Sequence, residues 1–422
     1  MNILRKYIAL SLLFTGAALT LGSCSQDEPA DSPFVDSSPV EIYDSEDYDG
    51  EYESTILVYA IASNNLFGNL AGRGGDKEEM VKAAQQMDLK KNNILVLQAA
   101  YELDPTDGKY DTQIPSVTLQ KLVKKGEEYR WKEENYYPAD IAPLDPSRIR
   151  EVIDYVFSSY PADTQGMIFW SHSSGSEPYL TGRSAEVDNV PMQYSFGWDD
   201  FHKNEKYYKL NIDELSAAMP DHLLDFIWFD SCYMGNIESM YELRNKCDYY
   251  VGYATEVWSP GMPYHYVIPL IARSNPDLVG GAKEFFRYYN EEYNLRNATV
   301  AVVDMNRIES LADFCKEMYS GVETRPSTSG FILYTRNGDS LYDLGDYTKA
   351  MAAQKGYTLT REEWEDALST CVLYKASTEN DFNNRPINPE NFSGISTHVY
   401  TPSDTSDREM YYKSYNWYQR VF

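Results

Sequence analysis

Short apolar runs recur along this chain with almost no polar residue interrupting them, and they restrict the fold more than any other feature. Thr55-Ile-Leu-Val-Tyr-Ala-Ile-Ala62, Asn93-Ile-Leu-Val-Leu-Gln-Ala-Ala100, Gly166-Met-Ile-Phe-Trp170, Leu224-Asp-Phe-Ile-Trp-Phe229 and Ala298-Thr-Val-Ala-Val-Val303 all read this way. A strand with one wet face alternates apolar and polar residues, whereas an unbroken run belongs to a strand buried on both faces, as in a parallel sheet covered by helices. Helical patterns fall between the runs. Asp76 to Met87 is one; Asp145-Pro146-Ser147 opens another, with Ile149, Val152, Ile153 and Val156 spaced by three and four before Pro161. Residues 211–219, 236–244 and 278–293 give further helices, and Asp248–Tyr253 another strand. Strand and helix in alternation predict an α/β fold with a mostly parallel sheet flanked by helices. A polar stretch running through Tyr137 reads as hairpin-like. Beyond about residue 310 the pattern changes to helices with strands at Gly330–Tyr334 and Ile395–Tyr400, a smaller C-terminal α+β portion over 311–422 that completes the domain begun at 55–310.

The amino terminus carries Arg5 and Lys6, an apolar stretch from Tyr7 to Leu21, and then Gly22-Ser23-Cys24. A basic start, an apolar core and small residues before a cut describe a secretory signal over 1–23. The junction resembles the bacterial lipoprotein box, in which Cys24 becomes the lipidated first residue; the alternative is an ordinary signal with Cys24 incidental. From Cys24 to Ser54 there are 11 Asp or Glu residues and no Lys or Arg. That composition cannot bury enough apolar surface to offset its ordering entropy, so residues 24–54 read as a disordered acidic tether. Cys24-Ser-Gln-Asp-Glu28 resembles the acidic export signal of surface lipoproteins in Bacteroides-type bacteria. The expectation is an exported protein, anchored to the outer membrane through Cys24 and facing outward.

The net charge of −28 argues against nucleic-acid binding. No run after the signal is long enough to span a bilayer. With Cys24 set aside, Cys232, Cys247, Cys315 and Cys371 remain, with no spacing that suits zinc. Four cysteines allow three disulfide connectivities, one of which joins Cys315 to Cys371, and a chain of this size builds its core without them.

Two of the apolar runs end on reactive residues. One stops at Trp170-Ser171-His172 and the other at Asp230-Ser231-Cys232. In an open parallel sheet the carboxyl ends of the strands face one edge, where ligands bind. Neighbouring strands ending in His172 and Cys232 would bring a base to a thiol, which a cysteine nucleophile needs because the thiolate is the reactive form. The helix beginning a few residues after Cys232 would turn its positive end toward that thiolate. Each residue has a blander reading: free cysteine is most often a buried small hydrophobe, and a lone histidine after a strand is usually structural. Asp230 and Ser231, polar residues directly after an apolar strand, tilt the balance toward an exposed functional edge. His202, His222, His265 and His398 follow no strand of the main sheet and are assigned structural or surface places.

These residues resemble a known family. Trp170-Ser-His172 together with Asp230-Ser-Cys232-Tyr-Met234-Gly235 is similar to the clostripain family of cysteine peptidases, in the caspase–gingipain–legumain clan. Asn64-Asn65-Leu66, Gly197-Trp-Asp199-Asp200, Thr255-Glu256 with Pro260-Gly261 and Tyr264, Tyr342-Asp-Leu-Gly-Asp346, and Gly394-Ile-Ser396 with Pro402 match further blocks in order, over residues 55–402. The resemblance implies a caspase-like fold and a Cys232/His172 dyad, with backbone amides of Ser173 and Cys232 as the oxyanion hole. Ser173 stands where the family usually has Gly. Asp230 is implied to line the pocket that selects Arg or Lys before the cut, the alternative being a capping role; Thr255 and Glu256 are implied to shape the cleft. The dyad requires no cofactor, calcium dependence occurs in the family, and no metal-ligating residues stand out. Self-cleavage after Arg183, Lys203, Lys206 or Lys209 is a further implication. The expected function is a monomeric cell-surface endopeptidase acting on protein or peptide substrates at Arg or Lys. The alternative is a catalytically inactive lipoprotein that keeps the fold and binds peptide or glycan through its aromatic residues.

Overall fold

Ile56, Val58, Ala60 and Ala62 point to one side of their strand and Leu57, Tyr59 and Ile61 to the other, and all seven are fully buried. Each set feeds its own apolar layer, which is why the run carries no alternation. A fully buried aliphatic side chain contributes roughly 1.5–3 kcal/mol, so this strand is anchored from both faces. In the computed structural model, residues 43–45, 48, 50–103, 113–178, 195–293, 296–334, 341–399 and 406–422 are described.

The strands are β1 (Tyr43–Asp44), β2 (Tyr52–Ile61), β3 (Asn92–Leu103), β4 (Gln113–Gly126), β5 (Glu128–Tyr137), β6 (Ala162–Trp170), β7 (Leu224–Asp230), β8 (Cys247–Gly252), β9 (Thr299–Asp304), β10 (Leu341–Asp343), β11 (Val372–Ser377) and β12 (Ser396–His398). Among the described residues ten of them form one sheet in the order β1-β4-β3-β2-β6-β7-β8-β9-β11, with β5 on β4. The centre, β3-β2-β6-β7-β8, is parallel throughout. β4 and β5 on one flank and β9 and β11 on the other add antiparallel. Helices Asp76–Ala84, Tyr264–Ile271 and Leu278–Arg287 cover one face, and Pro146–Ser159, Ile212–Ala218 and Ile308–Tyr319 the other. This is the expected caspase-like α/β arrangement.

Local signals set the element ends. Asp145 caps the helix Pro146–Ser159 by accepting from Ser147 N at 2.8 Å, with Pro146 in the first turn. Asn211 with Glu214 forms a capping box for Ile212–Ala218. Gly166 has no side chain because the Phe226 ring of the next strand lies where a Cβ would sit, 2.2 Å from its nearest atom.

The polar stretch ending at Tyr137 is the hairpin β4–β5, paired onto β3 of the main sheet. Gly330–Tyr334 forms no strand; Leu333 makes one isolated bridge to Tyr342, and Ile332 N is taken by the Asp346 carboxylate at 2.9 Å. The segment after 310 supplies the edge strand β11 as well as the small β10–β12 pair, and Ile42–Phe422 form one compact unit. The end of the acidic stretch has regular structure: β1 pairs with Lys125–Gly126, and Tyr52, which opens β2, packs against the Tyr48 and Tyr160 rings. The tyrosines there supply apolar surface that the acidic composition conceals. Cys24 and the signal lie outside the described residues. Cys247, Cys315 and Cys371 are buried free thiols, so the Cys315–Cys371 pairing is not formed.

Candidate active site

β6 and β7 pair in parallel with Phe169 beside Phe229 and Trp170 beside Asp230. His172 and Cys232 each follow two residues later, so both leave the sheet at one level. They line a single cleft of about 430 Å³, together with Asn65, Asp230, Glu256, Trp258 and Phe382. Beneath it, Phe169 stacks on Phe229 with centroids 5.0 Å apart, and Phe196 meets both edge-on. That packing fixes the two strand ends relative to one another.

The nucleophile sits on a strained turn. Tyr233 has φ +61°, left-handed backbone that a bulky residue rarely adopts and that costs about 1 kcal/mol or more. Four bonds hold it: Tyr233 N to Thr255 O (3.0 Å), Asn236 Nδ2 to Tyr233 O (2.8 Å), Gly235 N to Tyr253 O (2.7 Å), and Tyr250 OH to Met234 O (2.7 Å). The result is a rigid platform for Cys232. The following helix, Ile237–Glu242, spends its first-turn Ser239 amide on the Asn236 side chain at 2.8 Å. The amide that reaches the sulfur belongs instead to Val257, whose N–H donates to Sγ at 3.4 Å. A donor there favours the thiolate.

His172 is held by a residue to which the sequence reading gave no role. Its Nε2 lies 2.7 Å from Asn65 Oδ1. A carboxamide oxygen only accepts, so Nε2 carries the proton and Nδ1 is the free nitrogen of the neutral ring. Asn64 fixes the loop by donating to Ile61 O and Trp198 O at 3.0 and 2.7 Å. The Trp198 ring lies against the imidazole, centroids 5.6 Å apart, and burial lowers the His172 pKa. The His172 carbonyl accepts from Gly197 N at 2.9 Å, and the Ser173 hydroxyl donates to the Cys232 carbonyl, tying the two loops together. Nothing in the spacing of Asn64-Asn65-Leu66 singled out the second asparagine; only its position after β2, next to β6, could have done so.

Asp230 is 4% exposed and forms the cleft floor, more enclosed than the exposed edge expected. It accepts from Met262 N at 2.9 Å and Tyr264 OH at 3.1 Å. Burial raises its pKa to about 7, the two hydrogen bonds oppose the rise, and the Glu79 charge adds to it. Gly261, at φ +63°, passes so close that a Cβ would sit 2.8 Å from Oδ2. Asp76, bonded to Trp170 Nε1 at 2.7 Å, is likewise pushed well up by burial and by Asp230.

Glu256 lines the cleft, and Asn383 Nδ2 approaches its carboxylate at 3.4 Å. Thr255 does not line it: its hydroxyl is buried against Thr299 Oγ1 at 3.0 Å, and its carbonyl supports the Tyr233 turn. Lys203 and Lys206 are exposed, the latter donating to Tyr207 OH at 2.7 Å. Lys209 is 5% exposed, with burial lowering its pKa to about 8, and Arg183 lies outside the described residues. His202, held against Asp199, and His398, stacked on Tyr412, are buried, and His265 pairs with Glu79; like His222, none lines the cleft. Among the described residues no three His, Cys, Asp or Glu side chains converge to hold a metal, so no calcium ligands are assigned.

A thiol and an imidazole on adjacent parallel strands of an α/β sheet, opening into one cleft, give the arrangement that a cysteine peptidase of the caspase-like class requires. Residues 58–421 match the clostripain family, and the chain belongs to that family. It is 28% identical over 256 residues to clostripain of Hathewaya histolytica; the match takes 54% of this chain and spans 45% of that relative, less than half its length. Two solved structures share the fold. One is a secreted C11 cysteine protease from Bacteroides thetaiotaomicron in complex with an irreversible peptide inhibitor, with TM-score 0.68 and 24% identity over 88% of this chain and 99% of that one. The other is an inactive zymogen C11 protease from Parabacteroides distasonis, with TM-score 0.68 and 23% identity over 89% and 99%. Among the described residues no helix is long and apolar enough to cross a membrane.

Proposed function

We propose that this chain hydrolyses peptide bonds on the carboxyl side of Lys or Arg, with Cys232 as nucleophile and His172 as the proton carrier. His172 Nδ1 takes the Cys232 thiol proton, the thiolate adds to the scissile carbonyl, and the amides of Ser173 and Cys232 hold the oxyanion. His172, protonated at Nδ1, delivers that proton to the leaving amine as the carbon–nitrogen bond breaks. Nδ1 then takes a proton from water, whose oxygen displaces Sγ from the thioester, and the acid product leaves. Asn65 keeps the imidazole in the tautomer these steps need.

The observation carrying the selectivity is the buried Asp230 carboxylate on the floor of the cleft that holds Cys232. An ionised carboxylate shielded from water pairs strongly with a cationic side chain. Glu256 adds a second negative charge in the wall. Self-cleavage, where it occurs, falls at Arg183, Lys203 or Lys206, the last two exposed on the loops between β6 and β7, rather than at the buried Lys209. Lipid attachment at Cys24, a place on the outer surface and a monomeric state complete the reading.

The test is a set of fluorogenic peptides carrying Arg, Lys, Asp, Asn or Leu before the cut, assayed with wild type and Cys232→Ala, with and without calcium. Release after Arg and Lys by wild type alone is expected. Equal release by both proteins, or none by either, overturns the enzyme reading; preference for Asp or Asn overturns the role of Asp230 while sparing the dyad.

A further inference from the structure

The strand order sets out the cleft as a sequence of positions along the sheet edge. Asn65 follows β2, His172 follows β6, Cys232 follows β7, and Trp258 follows β8. β9 runs antiparallel to β8, and β11 antiparallel to β9. β11 therefore ends at the same edge as β8, and the loop leaving it carries Phe382. Trp258 and Phe382 thus lie on the side of Cys232 away from His172. The amine leaves toward His172, so the acyl part of a substrate lies over this other side.

There the two rings meet, with centroids 4.3 Å apart and planes at 41°, and both line the cleft while remaining only half-buried. Neither ring is free to collapse. Trp258 donates Nε1 to Asn297 Oδ1 at 2.5 Å. The Phe382 loop is clamped by Asp381, 1% exposed, which accepts from Asn383 N (2.8 Å), Arg385 N (2.8 Å) and Arg385 Nε (2.7 Å). A platform already ordered costs little entropy to use, and an aromatic face left partly open beside a nucleophile offers apolar area to a ligand.

We propose that Trp258 and Phe382 form a second specificity subsite, which takes an apolar side chain from one of the three substrate residues preceding the basic one. The assignment rests on the cleft being a peptidase cleft. The substrate class is narrowed from basic sites in general to basic sites preceded by an aliphatic or aromatic residue.

The experiment uses the full chain and peptides with Lys or Leu before the cut, each of the three preceding positions set in turn to Phe, Leu, Ala, Asp or Lys. Wild type is expected to favour the apolar residue over Ala by about 10-fold or more in kcat/KM at one position. Phe382→Ala is expected to bring that ratio close to one, and Phe382→Leu to keep part of it. A flat profile in wild type, or a ratio that survives Phe382→Ala while all rates fall together, overturns the subsite. Cleavage after Leu instead of Lys with the apolar preference intact overturns the role of Asp230 and leaves the subsite standing. No cleavage of any peptide overturns both.

Discussion

The carboxamide of Asn65 accepts a 2.7 Å hydrogen bond from His172 Nε2, which makes the loop after β2 part of the machinery carried by β6 and β7. Replacing Asn65 by Ala frees the ring to rotate and to exchange tautomers without emptying the cleft. The expected result is a fall of about 10- to 100-fold in kcat with KM nearly unchanged, and a partial return with Asn65→Gln. Steady-state kinetics on a Lys peptide measures both; a change confined to KM would refute the role.

Asp230 links selectivity to pH. Its carboxyl is raised from 3.8 to about 7 by burial, so it is neutral in mildly acid solution and ionised above neutrality. kcat/KM for Lys and Arg peptides should rise through about pH 7, and Asp230→Asn should lose both that rise and the basic preference. Stability has the opposite sign. A folded pKa above the unfolded one contributes stability that is complete below about pH 4 and lost as pH climbs through about 7. Melting curves at pH 5 and pH 8 should show Asp230→Asn gaining on wild type at the higher pH.

Ser173 tests the oxyanion hole by its backbone. Ser173→Gly keeps the amide and loses only the hydroxyl bond to the Cys232 carbonyl, so activity should drop less than about 10-fold, the scale of one ordinary hydrogen bond. Ser173→Pro removes the amide itself, and kcat should fall by about 100-fold or more. Equal losses in the two variants would move the oxyanion site elsewhere.

The thiols can be told apart chemically. Cys247, Cys315 and Cys371 are all buried, and burial pushes the thiol pKa up to about 12 for Cys315 and Cys371 and well up for Cys247. Cys232 opens to the cleft. Among the four cysteines after Cys24, iodoacetamide on the native protein should therefore label Cys232 alone and end activity in step, as peptide mass mapping would show.

The parallel core was legible because strands buried on both faces leave long apolar runs; the run at 224–229 became β7 but for its last residue, while β2 and β6 begin three and four residues before the runs at 55–62 and 166–170. Register followed from it, since His172 and Cys232 each stand two places past their strand. The edge strands were harder. β5 buries only its last residue, Tyr137, and β11 only Val372 and Ser377, so neither carries an apolar run. Asn65, the Val257 amide and the Phe382 loop were invisible for another reason: each acts through a neighbour distant along the chain, and a single sequence records no such distances. Conversely, the amide that reaches the sulfur comes from Val257 on a different loop, while the Ser239 amide in the helix after Cys232 is taken by the Asn236 side chain.

The aromatic wall of the cleft hangs on β11, far downstream of the thiol in the order of synthesis. A polypeptide emerging amino end first thus presents its sulfur well before residue 382 exists to enclose one side of it. Until β11 joins the sheet beside β9, Trp258 stands in that wall without Phe382.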